Sequence, residues 1–259
     1  MFKATATESL MSRILFLGDV HGSWAHADYL LDQLEASPYE WDEIIQVGDL
    51  GFWPGLNPPW RRTFDHPARW VDGNHEQFDR LEKREAHFGV PPETSWVAGW
   101  ETFLQTWEYQ PRGTITDGIL FVGGGRSVNK PWLTPGHNWF PQENLSEADK
   151  EHVLAQVEAY GPENIHTVVA HDCPTRFDVM STVIAAGRQF TAVKLGPDPN
   201  RPFLDDLFEI VRPDRWLFGH YHVKWSAVVD GCEARCVSLV NDADFQIIDI
   251  PEVPTPEVP

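Results

Sequence analysis

Six short apolar runs, each ending in a polar or glycine-bearing turn, restrict what this chain can fold into. Each run has the length of a strand and is rich in Ile, Val, Leu or Phe, as strands buried on both faces are. Stretches with helical periodicity lie between several of them. Alternating strands and helices in the first half predict parallel strands and an α/β fold. The apolar runs are residues 13–19, 43–49, 68–74, 118–124, 166–172 and 215–222, and the helical stretches are 23–36, 76–88, 144–159 (with Ser146 as a candidate cap) and 202–211.

One domain is predicted, over residues 11–250. From residue 215 onward the pattern changes to strands with turns, and no internal repeat or linker interrupts the chain. Met11 directly precedes the first strand, so residues 1–10 are expected to be a loose extension. Residues 251–259 are rich in proline and have nothing to bury, so they are expected to be a disordered tail.

The acidic composition argues against one class of partner. The chain carries 20 Lys and Arg against 39 Asp and Glu, a formal net charge of −19. Binding of extended nucleic acid needs clustered cations, so that partner is not expected. Carboxylates that surround bound cations contribute to the same total.

The cysteines and the N-terminal residues predict a cytoplasmic protein. Cys173, Cys232 and Cys236 cannot form a paired framework and have no zinc-type spacing, which fits a reducing compartment. The first residues lack a basic segment followed by a long apolar core, so neither a signal peptide nor a membrane span is predicted. The sequence does not indicate an oligomeric state.

Polar side chains recur where the predicted strands end. In α/β sheets, functional groups lie just beyond the carboxyl ends of the strands. A single Gly-Asp or Gly-Asn is more often an ordinary turn than a site, but recurrence at five strand ends is hard to obtain from turn chemistry alone. Carboxylates together with imidazoles suit divalent metals such as Mn, Fe and Zn. The residues are Asp19, His21, Asp49, Asn74, His75, His171, His220 and His222.

The order of these blocks resembles the calcineurin-like metallophosphoesterase family. The blocks are D-x-H (19–21), G-D (48–49), G-N-H-E (73–76), a single His at 171 and G-H-x-H (219–222). The loop at 123–146 is similar to one found in small bacterial and phage members. The resemblance implies a four-layer α/β/β/α sandwich of two mixed sheets flanked by helices, and a metal-dependent phosphoesterase activity.

The resemblance also implies a centre of two divalent metal ions, drawn from Mn, Fe, Zn and Ni, with Mn favoured. One ion would be held by Asp19, His21, Asp49 and His222. The other would be held by Asp49, Asn74, His171 and His220, with Asp49 bridging the two. His75 would protonate the leaving group while a metal-bridging hydroxide attacks phosphorus.

A charge argument accounts for the neutral amide of Asn74. Two divalent cations, less two carboxylates and one bridging hydroxide, leave one net positive charge that attracts a phosphate anion. A carboxylate in place of Asn74 would cancel that charge. An amide oxygen coordinates a metal without doing so.

The second block departs from one branch of the family. Protein Ser/Thr phosphatases resemble the chain at residues 73–76, but they carry G-D-x-x-D-R-G where this chain has GDLGFWPG (48–55). The arginine that holds phosphate there, and the aspartate expected to orient the catalytic His, have no counterpart. A protein phosphatase is therefore not favoured, and the residue that orients His75 is left open.

Five further residues near these blocks are candidates for roles at the site. Arg126 follows three glycines and is a candidate phosphate contact, or else part of an ordinary turn after a strand. Trp53 and Trp60 could stack on a nucleobase, but packing is favoured because aromatic side chains mostly serve burial. Glu76 and Asp172 are candidates to orient neighbouring His ligands.

The sequence predicts hydrolysis of a phosphomonoester or phosphodiester, with a small phosphorylated molecule such as a nucleotide as the substrate. The first alternative is a nuclease acting on single-stranded or terminal nucleic acid. It needs a basic track beside the site, and no run of Lys or Arg provides one. The second alternative is a metal-free interaction scaffold, which should have lost ligands, whereas all seven ligand positions are intact.

Overall fold

The computed structural model describes residues 11–54, 59–81, 100–187 and 197–251. The strands of these residues form two mixed sheets, one of five strands and one of six. The helices among them are α1 (Trp24–Glu35), α2 (Phe78–Leu81), α3 (Trp100–Thr106), α4 (Glu147–Tyr160), α5 (Val179–Ala185) and α6 (Arg201–Val211).

The first sheet combines strands of the N-terminal half with the last strand described. It contains β1 (Met11–Leu17), β2 (Glu43–Gln46), β3 (Ala68–Trp70), β4 (Trp107–Tyr109) and β11 (Phe245–Pro251). The order across the sheet is β11-β1-β2-β3-β4. β1 to β4 run parallel, and β11 is antiparallel to β1.

The second sheet is built from the remaining strands. It contains β5 (Ile115–Thr116), β6 (Ile119–Val122), β7 (Thr167–Ala170), β8 (Arg215–Phe218), β9 (Trp225–Val229) and β10 (Cys232–Cys236). The order is β5-β6-β7-β8-β10-β9, with parallel strands in the middle and an antiparallel strand at each edge.

Three apolar clusters separate four layers. Successive residues of a strand point to opposite faces of its sheet. Leu15 therefore belongs to the cluster that includes residues of α1 and α3, while its neighbour Phe16 belongs to a central cluster shared by both sheets. In the second sheet, Val169 is in that central cluster and Val168 packs with residues of α4 and α6. The predicted four-layer α/β/β/α sandwich is confirmed.

The main elements follow the predicted pattern. All six predicted strands are present, and the polar end of each lies in the loop that follows it. The helices predicted at 23–36, 144–159 and 202–211 are α1, α4 and α6. Only the first part of the helix predicted at 76–88 falls within the described residues, as α2. The short elements β4, β5, α3 and α5 were not predicted.

The predicted domain boundaries stay predictions. Residues 1–10 and 252–259 lie outside the described residues, and Pro251 is the last residue of β11. Among the described helices, none has the length and apolar character needed to span a bilayer.

Candidate metal centre

The predicted site residues all lie in loops at the carboxyl ends of strands from both sheets. The loops that follow β1, β2 and β3 belong to the first sheet, and those that follow β7 and β8 belong to the second. The two sheet edges meet, since the main-chain N–H of His220 donates to Asp19 Oδ1 at 3.1 Å. In chain order the residues are Asp19, His21, Asp49, Asn74, His75, His171, His220 and His222.

Several of these residues have left-handed backbone angles. Among the described residues, eight non-glycine residues have positive φ. Four of the eight are site residues: His21 (50°), Asp49 (56°), His220 (70°) and His222 (53°). Such angles are rare for side chains of this kind and persist only where the surroundings hold them. The backbone strain is thus concentrated at the positions that point side chains into the site.

Two glycines make room for these side chains. A Cβ atom on Gly73 would lie 2.1 Å from Asp49 Oδ1, so only glycine fits between the two loops. A Cβ atom on Gly125 would lie 2.8 Å from His171 Cδ2, 3.3 Å from Asn74 Oδ1 and 3.4 Å from His220 Nδ1. Gly125 therefore leaves space beside the side chains of three predicted ligands.

The first group of ligands converges on one point. One donor atom from each of Asp19, His21, Asp49 and His222 lies within 4.8 Å of the others. His222 Nε2 is 3.0 Å from His21 Nε2 and 2.9 Å from Asp19 Oδ2. His21 Nε2 is also 3.7 Å from Asp49 Oδ2. Two carboxylates and two imidazoles arranged in this way fit a divalent cation.

Asp49 also faces the second group of ligands. Its Oδ2 is 3.4 Å from His171 Nε2, which is 3.2 Å from Asn74 Oδ1. The ring centroids of His171 and His220 are 5.0 Å apart. His171 Nδ1 lies 2.9 Å from the carbonyl oxygen of Val47, to which it can donate, so Nε2 is the nitrogen that faces the site. Asp49 therefore lies between the two groups, and the carboxylate, imidazole and amide atoms around it are of the kinds that bind divalent cations.

Burial and mutual proximity set the charges of these groups. Burial alone would raise the pKa of Asp49, but nearby imidazoles, His171 foremost, hold it well below its ordinary range. Burial likewise opposes the charged form of His171, yet Asp49 raises the pKa of His171 to about 10. Burial and the proximity of His171 lower the pKa of His220 to about 3. Asp49 is thus ionised and His220 neutral near pH 7, and an entering cation would displace the proton of His171.

His75 lies beside the first group without belonging to it. It is half-buried, and its ring meets that of His21 edge-on, with the centroids 5.2 Å apart. Its main-chain N–H donates to Asp49 Oδ1 at 2.7 Å. This position suits a side chain that acts on a bound substrate.

A chain of hydrogen bonds that the sequence analysis missed holds the amide of Asn74. Asn74 Nδ2 donates to Ser127 Oγ at 3.1 Å, and Ser127 Oγ donates to Glu143 Oε2 at 2.5 Å. The main-chain N–H of Ser127 donates to Glu143 Oε1 at 3.0 Å. All three side chains are buried. The nitrogen of the amide is therefore occupied, and its oxygen faces His171.

The two carboxylates predicted to orient His ligands have other partners, so that prediction is wrong. Glu76 Oε2 accepts a hydrogen bond from the main-chain N–H of Phe52 at 2.6 Å. Asp172 Oδ1 accepts hydrogen bonds from the Tyr221 hydroxyl at 2.6 Å and from the main-chain N–H of Cys173 at 2.7 Å. Each carboxylate braces a loop of the site instead of a ligand ring.

Of the two tryptophans, Trp60 is a core residue, as predicted. Its ring stacks between Trp24 and Trp107, with both centroid distances at 5.3 Å. Trp53 is half-buried and packs against Phe140, with the centroids 6.0 Å apart. Its ring nitrogen donates to the carbonyl oxygen of His75 at 2.6 Å, a contact that the sequence did not suggest.

Arg126, in the loop that follows β6, lines a cavity. The cavity has a volume of about 480 Å³, and Lys130, Glu143 and Asn144 also line it. Arg126 directly follows Gly125, the glycine that adjoins the predicted ligands. The cavity therefore carries two cationic side chains, Arg126 and Lys130.

The model of the calcineurin-like phosphoesterase family matches residues 12–224. The chain belongs to this family. The predicted family is thereby confirmed, and with it the predicted enzyme class, a metal-dependent phosphoesterase. No curated protein matches the chain.

Solved structures are similar to the chain at low sequence identity. The crystal structure of TT1561 from Thermus thermophilus is similar over 94% of this chain and 100% of that chain, with a TM-score of 0.50 and 11% identity. Phosphopantetheinyl hydrolase (PptH) from Mycobacterium tuberculosis is similar over 96% and 98%, with a TM-score of 0.48 and 13% identity. A putative 5'-nucleotidase from Staphylococcus aureus is similar over 94% of this chain and 55% of that chain, with a TM-score of 0.44 and 12% identity.

Proposed function

We propose that this phosphoesterase uses two divalent metal ions, with Mn favoured, to hydrolyse a small phosphorylated molecule such as a nucleotide. The observation that carries the proposal is the convergence of donor atoms from Asp19, His21, Asp49 and His222, with Asp49 also close to His171. When bound, the ions would activate water for attack and compensate charge on the phosphoryl oxygens. The proposed ligands are Asp19, His21, Asp49 and His222 for one ion, and Asp49, Asn74, His171 and His220 for the other.

His75 is the proposed acid in this reaction. As an oxygen atom from water bonds to phosphorus, the bond from phosphorus to the leaving oxygen breaks, and that oxygen needs a proton. Imidazole is the side chain that most often transfers protons in enzymes, so a ring nitrogen of His75 is proposed to supply this proton. The half-buried ring of His75, edge-on to that of His21, supports this role because it lies beside the first group of ligands.

The cavity lined by Arg126 supports a small anionic substrate. Cavities of about 300–1,000 Å³ typically hold small molecules, and this one measures about 480 Å³. Arg126 and Lys130 supply positive charge in a chain of net charge −19. We assign Arg126 as a phosphate contact. The three cysteines are buried and unpaired, which supports action in the cytoplasm.

A hydrolysis screen with and without Mn²⁺ tests the proposal. The substrates are alkyl phosphomonoesters, nucleoside monophosphates, cyclic nucleotides and single-stranded DNA. Turnover of small esters is expected with Mn²⁺ and its loss after chelation. Arg126→Ala should raise KM for these esters, whereas the matched control Arg212→Ala, exposed at the end of α6, should not.

Two results would contradict the proposal. Full turnover in a protein shown to be free of metal would remove the metal centre from the reaction. Hydrolysis of single-stranded DNA far faster than of any small ester would identify a nuclease instead.

A further inference from the structure

The loops at residues 49–53 and 74–77 are joined by hydrogen bonds that run in both directions. Two of these bonds join Phe52 to the second loop. The N–H of Gln77 donates to the carbonyl oxygen of Phe52 at 2.9 Å, and the carboxylate of Glu76 accepts from the N–H of Phe52. The remaining contacts are from His75 N to Asp49 Oδ1 at 2.7 Å and from Trp53 Nε1 to the carbonyl oxygen of His75 at 2.6 Å.

Both main-chain polar groups of His75 are therefore held by the first loop. Asp49 accepts from its N–H, and Trp53 donates to its carbonyl oxygen. When the peptide groups on both sides of a residue are fixed, the direction of its Cα–Cβ bond is fixed as well. The ring itself meets that of His21 edge-on. The direction in which the His75 side chain leaves the main chain is thus set by these two hydrogen bonds.

Asp49 and Trp53 differ in how freely they can be varied. Asp49 is committed to the metal site, because its Oδ2 faces His21 and His171. Trp53 faces no metal ligand in its contacts: its ring packs on Phe140, and its N–H is directed at His75. Trp53 is thus the contact that can be removed without altering the proposed ligands.

We propose that Trp53 is a positioning residue for His75. In the protein phosphatases an aspartate is expected to orient the catalytic His through its ring, whereas Trp53 would orient His75 through its backbone. Trp53 lies in the block, residues 48–55, in which that aspartate has no counterpart. The inference rests on the proposed function, in which His75 protonates the leaving group. Accurate placement of a reacting group is worth large rate factors, and a shift of 1 Å can cost about 10²-fold.

The test compares two esters that differ in their need for an acid. An alkyl phosphate has a poorly stabilised leaving group and needs the proton, whereas a 4-nitrophenyl phosphate does not. Trp53→Phe keeps an aromatic ring on Phe140 and removes the N–H donor. We expect kcat for the alkyl ester to fall by about 10- to 10²-fold, with KM and metal content little changed and the nitrophenyl ester slowed less than about threefold.

A matched control and an isosteric variant separate positioning from packing. Trp60→Phe also removes a ring N–H, the one that donates to Asp28 Oδ1 at 2.9 Å, but it lies in the core away from His75. It should leave the ratio of the two rates unchanged. Replacing Trp53 with benzothienylalanine keeps the shape of the ring and removes only the donor. The benzothienylalanine variant should show the same selective loss on the alkyl ester, and it provides the test if Trp53→Phe folds poorly.

His75→Asn and the double variant complete the experiment. If His75→Asn slows the alkyl ester selectively, adding Trp53→Phe to it should cause no further selective loss, because the group being positioned is gone. Equal losses on both esters in the two Trp53 variants, or no loss, would overturn the role of Trp53. If His75→Asn itself shows no selectivity, the acid role in the proposed function fails, which is a distinguishable result.

Discussion

The neighbours of Asn74 determine which side of its amide is the nitrogen and which is the oxygen. The nitrogen and oxygen of an isolated amide are easily interchanged in a structure, but here the nitrogen donates to Ser127, whose own hydroxyl proton goes to Glu143. The oxygen is left to face His171. The sequence could explain why an amide suits this position. It could not show how the amide is oriented, because Ser127 and Glu143 are distant in the chain.

Replacing Asn74 with Asp tests the charge argument. The variant adds a negative charge at the second group of ligands, so inorganic phosphate should inhibit about tenfold more weakly at equal metal content. Asn164→Asp makes the same charge change on the exposed surface and serves as the control. The measurement is the inhibition constant of phosphate, with metal quantified in the same samples. Unchanged inhibition in Asn74→Asp would refute the argument.

Replacing Ser127 with Ala tests the hydrogen-bonded chain. Loss of the acceptor frees the amide to rotate, and loss of such supporting groups typically costs 10- to 100-fold in metal affinity. We expect Mn²⁺ titration calorimetry to show one weakened site and one unaffected site. Ser181→Ala, which removes a hydroxyl bonded to Asp178 on the surface, should show two unaffected sites. Two unaffected sites in Ser127→Ala would show that the amide needs no such support.

Length and the flanking residues together decided which elements could be predicted. The long strands and helices carry enough residues to display a periodicity, and all the predicted strands are present. β3 and β4 each have three residues, but β3 is followed by the polar block at residues 72–76, whereas no such block follows β4 or the two-residue β5. Trp107 of β4 is a core residue, so its place in the sheet follows from packing against Trp60. The start of α4 was readable because a capping serine is a local feature.

The capping box of α4 gives a prediction at this scale. Ser146 accepts from the N–H of Asp149 at 3.1 Å, and the Asp149 carboxylate accepts from the N–H of Ser146 at 2.8 Å. Ser146→Ala should lower the free energy of unfolding by about 1 kcal/mol. Urea unfolding at neutral pH checks this, with Ser226→Ala on an exposed position of β9 as the control.

The same box should lose its effect in acid. Burial opposes the charge of Asp149, but hydrogen bonds from Ser146 and the charge of Arg112 lower its pKa below 3.8. A lowered pKa in the folded state stabilises above the ordinary pKa and is lost as the pH falls through the folded value. The difference between the parent and Ser146→Ala should therefore narrow below about pH 4. A constant difference down to pH 3 would show that the carboxylate does not take part.

At the scale of the whole molecule, the candidate metal centre spans two sheets. Asp19 and His21 come from the first and His222 from the second, so a bound ion would connect the two halves of the sandwich. Saturation at about 100 times Kd should add about 2.7 kcal/mol of stability. Mn²⁺ should raise the Tm of the chelated parent protein by several degrees. His222→Asn should reduce that increase, and His166→Asn, a His outside the site, should not. An equal increase in His222→Asn would mean that the ion binds elsewhere.

The left-handed angles of His21, Asp49, His220 and His222 influence which substitutions are tolerated at these positions in a descendant that has lost activity. Alanine at these positions would carry a Cβ atom into an angle that costs about 1–2 kcal/mol, whereas glycine relieves it. In the metal-free protein, His222→Gly should therefore unfold at a higher temperature than His222→Ala. A descendant that gives up catalysis but keeps its fold is expected to drift toward Gly or Asn at these four places. Once activity is lost, the residues found at these positions would then be determined by backbone strain and no longer by metal binding.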